Sequence, residues 1–150
     1  MKKTIYLIII FSFVLFLYGC GNKTELTSDE FKLLMSNKNY STYDDNSNTI
    51  TEDTSVISFT SASKDNVGFG FIVLKNESAA KYLFEDYKNN EDGKNKKTES
   101  YTNLFNYNKY SYSNDEEYYS LIRVGKTILI TKATVDQEDE VKSIIEELGY

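Results

Sequence analysis

The chain has 150 residues, with 17 Lys and Arg against 23 Asp and Glu, no histidine, no proline, no tryptophan, one cysteine and a formal net charge of −6. The acidic balance argues against nucleic acid and against a basic surface lying on anionic lipid. Without histidine there is no His-based triad, no imidazole metal ligand and no imidazole pH switch, and a lone Cys20 leaves no internal disulfide.

The first stretch has the form of an export leader. Lys2 and Lys3 precede an apolar run from Ile5 to Tyr18, followed by the small residue Gly19 and the only thiol, Cys20. The run is shorter than the roughly 20 residues a membrane-spanning helix needs. Leu17-Tyr18-Gly19-Cys20 resembles the lipobox of bacterial lipoproteins, with Tyr18 bulkier than the usual residue at its position. That resemblance implies a diacylglyceryl group on the Cys20 sulfur and cleavage just before it. Two acyl chains make a stable anchor where one is marginal. Residues 1–19 then form a signal peptide, 20–25 a lipidated tether and 26–150 a single domain. The expected location is the extracytoplasmic face of the cell membrane.

Thr27 and Glu30 have capping-box spacing, Leu26 and Phe31 staple spacing, and Phe31, Leu34 and Met35 share one helical face, so Leu26 to Asn39 is predicted helical. Tyr40 to Tyr43 reads as a short strand, and Asp44 to Asp53 as an exposed loop. Asp44, Asn46 and Asn48 imitate half of a calcium loop, but Thr49 and Ser55 stand where glycine and glutamate are needed, so no metal is expected. Ser55 to Ala62 is predicted as a strand with Ile57 and Phe59 on one face. Val67 to Leu74 is a stronger strand, with Val67, Phe69, Phe71 and Val73 alternating against Gly68, Gly70, Ile72 and Leu74. The two glycines invite a helix or another backbone to approach closely.

Asn76 caps a second helix to Asn89, with Ala80, Leu83, Phe84 and Tyr87 as its apolar stripe. Between Glu99 and Tyr119 lie Tyr101, Phe105, Tyr107, Tyr110, Tyr112, Tyr118 and Tyr119, with pairs spaced as in strands. Tyr101, Tyr107, Tyr110, Tyr112, Tyr118 and Tyr119 form the candidate binding surface, a stacking platform for sugars or an extended peptide. The favoured reading of these residues is nevertheless ordinary sheet packing with phenol oxygens at the rim. Tyr118–Val124 and Thr127–Thr134 make a hairpin over Gly125-Lys126, with glycine placed for a type II′ turn. The single arginine, Arg123, is expected in a structural ion pair. Asp136 is expected to cap a third helix to Leu148, with Val141, Ile144, Ile145 and Leu148 apolar and Gly149 at its C-terminal turn.

The segment Arg123-Val124-Gly125-Lys126-Thr127 and the ending Leu148-Gly149-Tyr150, in a chain rich in Asn, Lys and Tyr, resemble small lipoproteins of low-GC Gram-positive bacteria. The resemblance implies a shared fold and address and no particular activity. The order of elements predicts an α+β fold: one twisted, mainly antiparallel sheet, the second and third helices on one face, and a weak strand–strand–helix duplication. A two-layer ferredoxin-like or TATA-binding-protein-like arrangement fits that order. No catalytic motif and no cofactor are expected, and the domain reads as a non-enzymatic binding or envelope-interaction module, with cell-wall glycan or another envelope protein as partner. The alternative is a carboxylate-dependent cell-wall glycan hydrolase. Two facing, partly buried carboxylates in a cleft would favour the hydrolase; an exposed aromatic face or sheet edge would favour binding.

Overall fold

The computed structural model describes residues 23–44 and 55–150; the leader with Cys20, and the predicted loop beyond Asp44, lie outside the described residues. The elements are α1 (Ser28–Asn37), β1 (Ser41–Asp44), β2 (Val56–Lys64), β3 (Val67–Leu74), α2 (Glu77–Asn90), β4 (Thr98–Asn103), β5 (Tyr107–Ser113), β6 (Glu117–Val124), β7 (Thr127–Thr134), a 3-10 turn (Val135–Gln137) and α3 (Glu138–Glu147). The strands form one seven-stranded sheet in the order β1-β2-β3-β7-β6-β5-β4, antiparallel throughout. Two meanders, β1–β3 and β4–β7, are therefore joined side by side through β3 and β7. The fold is α+β, as the order of elements predicts.

Local chemistry explains the boundaries. Thr27 caps α1 through the amide of Glu30, and the Glu30 carboxylate returns to the Thr27 amide at 2.8 Å, completing the capping box. Asn76 Oδ1 accepts from the Ala79 amide at 2.9 Å and starts α2. Gly125 has φ 54°, which the first central position of a type II′ turn requires, and the register pairs Val124 with Thr127 and Ile122 with Leu129. At the end of α3 the Gly149 amide donates to Glu146 O and the Tyr150 amide to Ile145 O, a Schellman closure. Asp136 does not cap α3. It lies within the 3-10 turn, and Gln137 precedes the helix without a side-chain cap.

The apolar alternation of β3 fills two cores. Phe69 and Phe71 face α1 and α3, packing with Phe31, Met35, Val141, Ile144 and Ile145. Ile72 and Leu74 face the other way, where Ala80 and Phe84 of α2 meet Tyr110, Tyr112, Tyr119, Leu121 and Ile128. The second and third helices thus sit on opposite faces of the sheet, not on one face, and the arrangement has three layers rather than two. The reason is in β3 itself, which is apolar on both sides and needs cover on both. The same placement removes the internal duplication. An axis exchanging antiparallel β3 and β7 stands perpendicular to the sheet and keeps every helix on its own face, whereas α2 and α3 are on different ones.

Two smaller expectations also change. The β2–β3 register shifts between Val56 and Ser58, and this irregularity puts Val56, not the half-exposed Ile57, with Phe59 in the α2-side core. Gly70 admits no helix. A side chain there would meet the ring of Phe59 at 3.1 Å, so the close approach is an aromatic one from β2.

Candidate functional site

The tyrosines named from the sequence do not form one exposed surface. Tyr110, Tyr112, Tyr118 and Tyr119 are buried, Tyr107 is half-buried, and only Tyr101 is substantially exposed. Tyr101, Tyr110, Tyr112 and Tyr119 come together under α2: the Tyr112 and Tyr119 rings stack at 5.3 Å between centroids, Tyr110 meets Tyr119 at 6.3 Å, and Tyr101 stacks on Phe84 at 6.4 Å. Tyr107 and Tyr118 point to the other face, with α3. Phe105 is not a strand residue but the exposed tip of the β4–β5 turn.

Under α2 the phenol oxygens reach the rim and are met by charge. Tyr112 Oη lies 2.7 Å from Glu91 Oε2, 2.7 Å from Glu117 Oε1 and 3.0 Å from Lys94 Nζ. Lys94 bridges back to Glu91 at 2.5 Å, and Lys132 holds Glu117 at 2.7 Å. One rank along, Tyr110 donates to Glu99 at 2.9 Å and Lys96 closes the pair at 2.8 Å. The Lys132 ammonium first, then the Tyr112 hydroxyl, holds the Glu117 carboxyl down at about 2. Burial, and then hydrogen bonding to Glu117 and Glu91, pushes the Tyr112 phenol well above its ordinary value.

Glu91 and Glu117 are a facing, partly buried carboxylate pair, the feature that would favour a hydrolase. Both are engaged by lysines: Lys132 pairs with Glu117 and Lys94 with Glu91. The cluster ties the Glu91–Lys97 loop to the sheet. Sequence reasoning missed it, although the β5–β6 register carries the signal: Tyr112 opposes Tyr119, so Glu117, two residues before Tyr119, falls on the same face.

The opposite end of the sheet is organised by Arg123. The guanidinium is fully buried and makes no ion pair among the described residues; Nε donates to Asn108 Oδ1 at 2.5 Å, Nη1 to Gly125 O at 2.7 Å and Nη2 to Phe105 O at 3.2 Å. Burial lowers its pKa, with the more distant Glu77 and Glu25 opposing. The expected ion pair is replaced by neutral acceptors because the two turns present carbonyls exactly where the strand delivers the side chain's fork. Arg123 thereby fastens the β4–β5 turn to the β6–β7 turn. The Gly125 amide adds a bond to Asn106 O at 2.8 Å. The first described residues lie across this end: Asn106 Nδ2 donates to Lys23 O at 3.1 Å, and the Lys126 amide to Glu25 Oε1 at 2.9 Å.

Asp44, from the partial calcium-loop pattern, is committed to Lys32 Nζ at 2.8 Å and Thr60 Oγ1 at 2.9 Å. Among the described residues no group of acidic or sulfur side chains is arranged to hold a metal ion, and no helix is long and apolar enough to cross a membrane. A depression of about 330 Å³ between the end of α1 and α3 is lined by Lys38, Tyr40, Glu140, Ser143 and Glu147, with Lys38 and Glu147 paired at 2.5 Å. Comparison of the chain with protein-family models, with curated proteins and with solved structures yields no match.

Proposed function

We propose that this chain is a lipoprotein anchored through Cys20 on the extracytoplasmic face of the membrane, whose domain binds an envelope component and performs no chemistry. The observation that carries the binding reading is the free edge of the sheet. β4 has no strand paired to its outer side among the described residues, and Thr98, Glu99, Ser100, Tyr101 and Asn103 along it are exposed. An open edge offers backbone donors and acceptors in a row and takes an extended segment as an added strand. Tyr101 stands on that edge with Lys88 over its ring at 5.1 Å, an amphipathic contact suited to a sugar face or a peptide side chain. Of the six tyrosines named from the sequence, Tyr101 is the one we retain as a direct contact.

The anchor rests on the lipobox. The absence of histidine and of a free thiol after lipidation, together with the lysine-bound state of Glu91 and Glu117, supports a non-enzymatic role. The test places a photo-crosslinking residue at Ser100 or, as control, at Asp139 in the full chain, and irradiates intact cells. Adducts at position 100 with cell-wall glycan or an envelope protein, absent at 139, are expected. Equal adducts at both positions would overturn the edge as the site. Fragment release from cell-wall glycan that disappears in Glu117→Gln would establish the hydrolase instead.

A further inference from the structure

We infer that the β4–β5 turn, carrying Leu104 and Phe105, is a membrane-docking tip that seats this end of the domain in the lipid headgroup region beside the anchor. This inference rests on the proposed lipidation of Cys20. Leu104 is 61% exposed and Phe105 85% exposed, side by side on one turn. Exposed apolar pairs usually sit on loosely held chain; this one does not. Leu104 and Tyr107 exchange backbone bonds at 2.7 and 3.3 Å, Arg123 holds the Phe105 carbonyl, and the Gly125 amide holds Asn106. A fully buried arginine is committed to stiffening a turn whose two largest side chains gain almost nothing from the protein interior. Rigid display of apolar side chains is what an interfacial contact requires.

The occupant follows from where the chain leads. Asn106, next to Phe105, is hydrogen-bonded to Lys23, and Lys23 lies over the Tyr107 ring at 5.4 Å. Cys20 is three residues before Lys23. Three residues span at most roughly 10 Å, so the acyl chains enter the bilayer within that distance of Lys23. The bilayer surface is therefore the first large body the tip meets. Lys75, Lys81 and Lys126 are exposed at this end, with Lys81 Nζ 5.7 Å from the Phe105 ring centroid, and Lys23 is half-buried beside them. The acids here are Glu25, bonded to the Lys126 amide, Asp29 and Glu30 in the first turn of α1, and Glu77, which opens α2. At the far end of the strands Asp115, Glu117 and Glu138 are paired with Lys97, Lys132 and Lys142. Both ends thus mix acids with lysines, and the contact rests on the apolar pair Leu104 and Phe105 and on the nearness of the anchor rather than on charge.

The test uses the full lipidated chain in nanodiscs of phosphatidylcholine with phosphatidylglycerol. A lipidated Cys20 has no free thiol, so a single introduced cysteine takes a bimane dye. Leu104→Cys keeps Phe105 and reports the tip; Asp115→Cys reports the far end. Doxyl-labelled lipid is expected to quench the dye at 104 at least threefold more than at 115, and aqueous iodide to do the reverse. Equal lipid quenching at both positions overturns the proposal. So does iodide protection at 104 that appears only in native membranes without lipid quenching, which would mean a protein partner. Fatty-acid labelling of wild type and Cys20→Ala reads the anchor separately: a labelled chain without quenching at 104 sinks the tip and leaves the anchor standing, while a chain without label at Cys20 sinks both.

Discussion

The two faces of the sheet bury hydroxyl groups in opposite ways. Under α2, Tyr110 and Tyr112 run their rings through the core and end on carboxylates and lysines at the rim. Under α1 and α3, Thr127 and Tyr150 pair their hydroxyls, whereas those of Tyr40, Tyr118, Ser120 and Thr131 are buried without a close hydrogen-bonding partner among the described residues. One face ends its phenols on charge, and the other leaves several hydroxyls unpaired. The difference lies in the cover. A single helix leaves a short path from core to water on the α2 side, and phenol length is enough to bridge it. Two helices on the other side close that path. The lesson is that tyrosine stabilises where its oxygen can reach a partner, and destabilises by up to about 1–3 kcal/mol where it cannot.

Substitutions can break or sharpen that contrast. The largest effect is expected at the end of the α2-side face, where Arg123→Met should destabilise by about 3 kcal/mol in urea unfolding, because Phe105 O, Gly125 O and Asn108 lose their donor together. A change below about 1 kcal/mol would show that the turns hold themselves. Next, Tyr112→Phe should cost about 2 kcal/mol, since Glu91 and Glu117 lose a shared donor in a partly buried site. Gly125→Val should cost more than about 1 kcal/mol, both for its positive φ and because a side chain there collides with Glu25; an unchanged melting temperature would mean that the turn relaxes freely.

Acid sharpens the comparison. Glu117 has a folded pKa of about 2, below the ordinary 4.5, so its contribution is fully present above about pH 4.5 and is lost as pH falls toward 2. Because the carboxylate sits at the solvated rim, where screening removes part of the full effect of about 3 kcal/mol, that loss should be on the order of 1–2 kcal/mol in wild type and absent from the pH profile of Glu117→Gln. The smallest effect belongs to the other face. Tyr118→Phe removes a hydroxyl that makes no close hydrogen bond among the described residues, with Ser120 and Ser111 near it, and should leave stability within about 0.5 kcal/mol of wild type, or raise it. A loss as large as that of Tyr112→Phe would erase the distinction between the faces.

Much of the fold was legible because its punctuation is local. Thr27 with Glu30, Asn76, Gly125 and Gly149 each act through hydrogen bonds or dihedrals within a few residues, and sequence spacing shows such things directly. The face taken by each helix was not legible. The β3 alternation shows two apolar sides, Phe69 and Phe71 against Ile72 and Leu74, but nothing in periodicity says which helix covers which. The tyrosines were legible as sheet packing with phenol oxygens at the rim, which Tyr110 and Tyr112 show; the partners of those oxygens were not, because the distance to the nearest charge is tertiary. Arg123 was readable as structural, standing two and four residues from Leu121 and Tyr119 on a core-facing strand side. Its acceptors were not, since backbone carbonyls at turns have no residue signature.

The joining of the two meanders through β3 and β7 governs how the chain must come into being. Emerging from its N-terminus, the chain completes Val67–Leu74 long before Thr127–Thr134 exists. Until then the segment Val67-Gly68-Phe69-Gly70-Phe71-Ile72-Val73-Leu74 is an unprotected edge, uncharged and apolar on both sides. Such a segment templates intermolecular strand pairing. The long closure across residues 75–126 also makes this the slow, entropically costly step. Incompletely synthesised chains are therefore the aggregation-prone species of this protein, and a holdase gripping β3 until β7 arrives would raise its yield without touching the stability of the finished fold.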